Sequence, residues 1–200
     1  MRIEIILALS LCFNLYSQTA DEHNKSGVTK LVQEDFKAAI VDFTKAIDLN
    51  SNDYHFYFNR GSAKHKLEDY RGAIVDYTKA IELNPSKSLY YNNRGLAKSD
   101  LKDFKGAIDD YTKAIELTSN KSYYYHNRGL AKENYGYFSG ANDDYTKAIE
   151  LDPNKSDLYI DRGNLKRFYL DQKESACLDY SRAGELGGAN AYELIQKYCN

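Results

Sequence analysis

Charged side chains recur in this chain at fixed intervals, and they are the first residues to weigh for chemistry. Arginines stand at Arg60, Arg94, Arg128 and Arg162, and aspartates at Asp42, Asp76, Asp110 and Asp144, each series in steps of 34 residues. Asp179 continues the aspartates after one extra residue. A guanidinium taken out of water needs a partner, and a carboxylate can accept two parallel bonds from it. The spacing predicts a ladder of Arg–Asp pairs between packed helices, a structural role. Each arginine's partner lies either in its own period or in the one before. In the second register Asp42 would pair with Arg60 and leave Asp179 alone. One residue before three of the arginines stand Asn59, Asn93 and Asn127. A primary amide donates and accepts at once, which complements a peptide group.

Other chemistry finds little support. There is no G-x-S-x-G, no H-E-x-x-H, no Walker loop and no C-x-x-C. The histidines His23, His55, His65 and His126 are scattered, so neither a metal nor a cofactor is expected. Neighbouring acids such as Asp109-Asp110 and Asp143-Asp144 diverge on a helix. Lys30, Lys64, Lys98, Lys132 and Lys166 recur three residues after glycines. They are expected to lay their stems on the core and hold their amines in water. No catalytic constellation emerges, and the expectation is a protein that is not an enzyme.

The elements that position these residues follow from the same beat. Gly27, Gly61, Gly95, Gly129 and Gly163 are 34 apart, and the phrase Tyr77 to Leu83 returns at Tyr111 and Tyr145. A period of this length means stacked repeats rather than one globular core. After Tyr70, the residues Ala73, Ile74, Tyr77, Ala80 and Ile81 mark one face of a helix. Asn84-Pro85 and Asp152-Pro153 stop it. Ser88, Ser122 and Ser156 then stand where N-caps are expected for the next helix. Each period is predicted to be a helix, a short turn and a second helix, in an all-α solenoid.

This pattern resembles the tetratricopeptide repeat. The resemblance rests on the phase glycines, on Ala73 with Tyr77, Ala107 with Tyr111, Ala141 with Tyr145, and on the closing Pro85 and Pro153. It covers 20–188 as five repeats: 20–53, 54–87, 88–121, 122–155 and 156–188, with a capping helix over 189–200. Tyr57, Tyr91, Tyr125 and Tyr159 stand where the family usually has tryptophan. The resemblance implies a right-handed superhelix whose first helices face a concave groove. There the family's asparagines hold an extended peptide, which points to Asn59, Asn93 and Asn127. The groove would also present His55, Phe58, Asn92, Tyr123, His126, Leu96 and Leu130. At the phases where chaperone adaptors carry carboxylate-clamping cations, this chain has Phe58, Ser62, Asn93, Tyr123 and Asn127.

The two ends differ from the repeats. Ile5 to Leu15 is apolar, too short to cross a bilayer, which takes ~20 residues, and suited to a signal-peptide core. A leader over 1–17, cut after Ser17, predicts a periplasmic or secreted protein with no membrane span. After Gly187-Gly188, Ala191, Leu194, Ile195 and Tyr198 mark an amphipathic lid. Cys177 and Cys199 lie at equal offsets from Gly188, so an antiparallel pair turning there brings them together. In an oxidising compartment they can form a disulfide contributing about 3 kcal/mol. The net charge of −2 gives no field for nucleic acid. The expected function is a non-catalytic interaction scaffold holding an extended segment of a protein partner. The alternatives are a structural subunit of an envelope assembly acting through its outer face, an enzyme accessory, or a weak carbohydrate binder.

Overall fold

The computed structural model describes residues 19–199, and all regular structure among them is helical. The expected leader, 1–17, lies outside the described residues. Helix α1 is described over 19–32. It is followed by α2 (Phe36–Leu49), α3 (Tyr54–Lys66), α4 (Tyr70–Leu83), α5 (Ser88–Asp100), α6 (Phe104–Leu117), α7 (Ser122–Tyr135), α8 (Phe138–Leu151), α9 (Ser156–Phe168), α10 (Lys173–Glu185) and α11 (Ala191–Tyr198). The chain divides into two compact units, with the boundary between Ala97 and Lys98 inside α5. In the first, α2 packs on α3 and α3 on α4. In the second, contacts run from α6 through α11, each helix against the next. The architecture is a helix-turn-helix repeat solenoid, with apolar surface shared between sequence neighbours.

The turns within repeats explain why second helices start where they do. Glu34, Glu68 and Lys102 take left-handed φ values of 62°, 61° and 62°. That conformation turns the chain back. The next residues, Asp35, Asp69 and Asp103, cap α2, α4 and α6 by accepting from the amides of Ala38, Gly72 and Gly106. The first helices behave differently from expectation. They begin at Ser88, Ser122 and Ser156 themselves. Lys121 and Lys155 hold the capping positions of α7 and α9 without a side-chain cap bond. The serines are therefore the first helical residues and not the caps.

The core is built from small residues against rings. Tyr77, Tyr111, Tyr145 and Tyr180, and Phe43 in the first repeat, are almost wholly buried on the second helices. Gly163 faces Tyr180 so closely that a Cβ there would sit 2.6 Å from the ring. Alanine is excluded by contact, which is why a glycine holds this phase. The tyrosines at the family's tryptophan phase tie helix to loop. Tyr57, Tyr91 and Tyr159 donate to the carbonyls of Ser51, Pro85 and Pro153 at 3.1, 3.2 and 3.1 Å.

One position breaks the apolar pattern. Ile40 and Ile74 pack on the buried clusters around Phe43 and Tyr77. Asn142 occupies the same phase in α8, and its Oδ1 is buried with no hydrogen-bond partner. An orphaned buried carbonyl costs about 1–3 kcal/mol. Asn142→Ile is therefore expected to stabilise the protein by about 1–2 kcal/mol, read as a higher urea midpoint with unchanged slope. A lower midpoint would mean that the amide has a partner in solution.

Candidate functional site

The arginines meet aspartates of their own repeats. Arg60 reaches Asp76 with Nε at 3.0 Å and Nη2 at 2.7 Å. Arg128 grips Asp144 at 2.9 and 2.7 Å. Arg162 grips Asp179 at 3.0 and 2.6 Å. In the first repeat Ser26 stands at the arginine phase and donates to Asp42 at 2.6 Å. The third arginine nitrogen reaches back to the preceding repeat. Arg60, Arg94, Arg128 and Arg162 donate to the hydroxyls of Thr44, Thr78, Thr112 and Thr146 at 3.2, 3.1, 3.1 and 3.1 Å. Each guanidinium also lies over the tyrosine three residues before it, at 5.7–5.9 Å from the centroid.

The recurring lysines correct the expectation of amines held in water. Lys30, Lys64, Lys98, Lys132 and Lys166 approach Asp42, Asp76, Asp110, Asp144 and Asp179 at 2.6, 2.8, 2.8, 2.7 and 2.8 Å. They are drawn inward because a buried carboxylate offers more acceptor capacity than one arginine fills. Burial alone would push the Asp42 carboxyl up. The bonds from Lys30 and Ser26 outweigh it and hold the group below its usual value. The aspartates at the centre of these clusters are buried, and the clusters tie the first helix of a repeat to its second.

The first-helix residues named as groove candidates are a better surface. Asn59, Asn93, Asn127, Phe58, His126, Leu96 and Leu130 are half-buried, and His55 and Tyr123 are exposed. Asn92 is the exception: it is buried, and its amide donates to Asn93 at 3.1 Å. Asn59 donates to Asn24 at 2.9 Å. The fifth repeat replaces this amide with Asp161, which meets His126 at 2.7 Å in the same inter-repeat geometry. Adjacent first helices thus fix each other's polar groups. Phe58 adds an aromatic floor, 4.7 Å from Tyr90 and 5.8 Å from Tyr77. Burial, with Tyr54 and Asp53 nearby, pushes the Tyr90 phenol up to about 12.

In the second unit the face carries the carboxylates Glu133 and Asp161. Tyr145 donates to Glu133 at 2.6 Å. Burial raises the Glu133 carboxyl; the tyrosine bond opposes this and the nearby Asp161 adds to it. No group of three His, Cys, Asp or Glu side chains among the described residues could hold a metal.

The turn edge of the second unit was not foreseen in the sequence. Gly136 and Tyr137 replace the left-handed residue and capping aspartate found in the first three repeats, and α8 has no side-chain cap. Tyr135, Tyr137, Phe168 and Tyr169 are more than half exposed there. Phe138 and Tyr169 stack at 4.4 Å. A lost cap beside exposed rings was the available signal. At the C-terminus, Cys177 and Cys199 are joined in a disulfide with their Cα atoms 5.7 Å apart.

Known proteins share this fold. The tetratricopeptide-repeat signature matches residues 56–87, and again 89–121 and 122–155. No curated protein sequence matches this chain. Among solved structures, MamA 41-end from Desulfovibrio magneticus RS-1 has a TM-score of 0.81 at 19% identity, over 84% of this chain and 95% of that one. YrrB, described as having an unusual peptide-binding site, gives 0.75 at 20% identity, over 88% and 90%. The first repeat domain of Spaghetti (RPAP3), bound to the HSP90 peptide SRMEEVD, gives 0.59 at 27% identity, over 60% and 95%.

Proposed function

This chain belongs to the tetratricopeptide-repeat family, and from that premise we propose that it is a non-catalytic scaffold. Its first-helix face binds an extended segment of a protein partner. The observation that carries the reading is the set of half-buried amides at Asn59, Asn93 and Asn127. Asn59 is steadied by Asn24 yet keeps its carbonyl for a peptide N–H. Near these amides stand the Phe58 ring in the first unit and Glu133 and Asp161 in the second. YrrB with its peptide-binding site and the Spaghetti domain with its bound HSP90 peptide agree with this use of the fold. We also propose export through the 1–17 leader, since a disulfide suits an oxidising compartment. No helix among the described residues is long and apolar enough to cross a membrane.

The test is a triple substitution, Asn59→Ala, Asn93→Ala and Asn127→Ala, in a pull-down from envelope extract. Loss of the captured partner, with helicity retained by circular dichroism, is the expected result. Normal capture by the triple variant would remove the amides from recognition. The exposed aromatic edge at Tyr135, Tyr137 and Tyr169 favours a second reading, a weak carbohydrate binder. A glycan array that responds to Tyr137→Ala, and not to the asparagine variant, would select it.

A further inference from the structure

The C-terminal helix is thinly attached for a lid. In α11 only Ala191 is buried. Leu194 and Ile195 are half-buried, and Tyr192 and Glu193 are exposed. The far end is held by other means. Cys199 is bonded to Cys177 of α10. The Tyr198 ring stands edge-on to Phe168 of α9 at 5.2 Å. The Arg167 guanidinium lies over the Tyr198 ring at 5.6 Å. Under this cover the Arg167 Nε is buried without a hydrogen-bond partner. Arg167 and Phe168 continue α9 beyond Asp161 and Asn164, four and five residues after Gly163. His65, Lys66, Glu133 and Asn134 hold those same phases on α3 and α7.

We propose that α11, which packs on α10, is a plug over the C-terminal end of α9 at Arg167, locked by the Cys177–Cys199 disulfide and released by a dithiol reductant. The orphaned arginine nitrogen fits a face that is covered by its own chain and would find acceptors once uncovered. The lock is within reach of a reductant. A surface cavity of about 340 Å³ is lined by Lys173, Glu174, Cys177 and Cys199. A donor thiolate attacks one protein sulfur, the S–S bond breaks, and a mixed disulfide forms. The donor's second thiolate then closes the donor's own disulfide and expels the remaining protein thiolate. Two electrons and two protons pass from the donor to Cys177 and Cys199. Release would uncover the Arg167 guanidinium now lying under the Tyr198 ring, so the proposal deepens the peptide-binding reading and rests on it for its purpose.

Hydrogen exchange with mass spectrometry on the mature chain tests it, with and without dithiothreitol and with thiols counted. On appearance of two thiols per chain, amides of 191–199 are expected to exchange at least tenfold faster, while those of α9 and α10 keep their rates. Cys177→Ser should reproduce this without reductant. Unchanged α11 exchange in the reduced chain would overturn the lock. Loss of protection across α9 and α10 together would also overturn it, because the disulfide would then staple the whole repeat. No partner is needed for this measurement. Released α11 in a chain that captures no partner would sink the groove reading and leave the lock standing.

Discussion

Asp144→Ala is expected to cost more than removing either cation it holds. Asp144 is 3% exposed and binds Arg128 through two bonds and Lys132 through a third contact. Deleting the carboxylate strands two cations whose side chains are 17% and 14% exposed. They would repel each other in a poorly solvated seam, a loss of about 3–5 kcal/mol. Arg128→Met leaves the Lys132–Asp144 pair and should cost less. Lys132→Met leaves the bidentate arginine and should cost least. Replacing all three by apolar residues, with Asp144→Leu, should recover most of the loss, since a buried ion cluster exchanged whole for packing is often close to neutral. Urea unfolding of the four variants decides the matter. An Asp144→Ala protein as stable as Arg128→Met would mean that the two cations reach water easily.

The sequence carried the repeat and the ingredients of the seam, but not its wiring. Period and helix pairing were legible because the glycine, alanine and tyrosine phases each answer to one steric demand. The register was not. Asp42 and Thr44 are two residues apart in α2, and so about 200° apart around the helix. One side faces the repeat's own first helix and the other faces the next repeat. Sequence offsets fit both turns, so only the structure shows that the aspartate faces home and the threonine faces forward. The lysines were misread for a related reason. A long side chain three residues after the glycine can snorkel or fold inward, and the choice depends on whether a carboxylate below it has acceptor capacity left. The serines were displaced by one position because helix starts are softer than helix faces.

The first-helix face was legible only in part. Its phase followed from the family pattern, yet Asn92 turned inward while Asn59 did not. The structure links Asn59 to Asn24 and Asp161 to His126, each pair 35 residues apart. That cross-repeat step decides which amides stay available, and no reading confined to one repeat contains it. The aromatic turn edge was missed for the same reason. Tyr137 looks ordinary until its place is seen to be that of a helix cap.

Tyr145→Ala should remove a fully buried ring from the second unit and cost about 3–5 kcal/mol. Tyr145→Phe isolates a more informative part of that loss. The phenol is pushed well above its usual range by burial and then by its bond to Glu133. Glu133 is itself raised, mainly by burial, and the tyrosine bond is what restrains the shift. The sign follows from linkage. A carboxyl whose folded pKa is raised burdens the folded state above that pKa and relieves it as pH falls through it. Removing the hydroxyl takes away a bond to a charged acceptor, so the loss at pH 7 should be about 1–3 kcal/mol. Protonation of Glu133 in the folded state removes the charge the hydroxyl was serving. The difference between wild type and Tyr145→Phe should therefore shrink as pH is lowered from 7 toward the carboxylate range, and it should be small at every pH in a Glu133→Gln background. Urea titrations of the four proteins at two pH values measure this. A Tyr145→Phe loss of equal size at both values, undiminished when combined with Glu133→Gln, would place the cost in ring packing and not in the hydrogen bond.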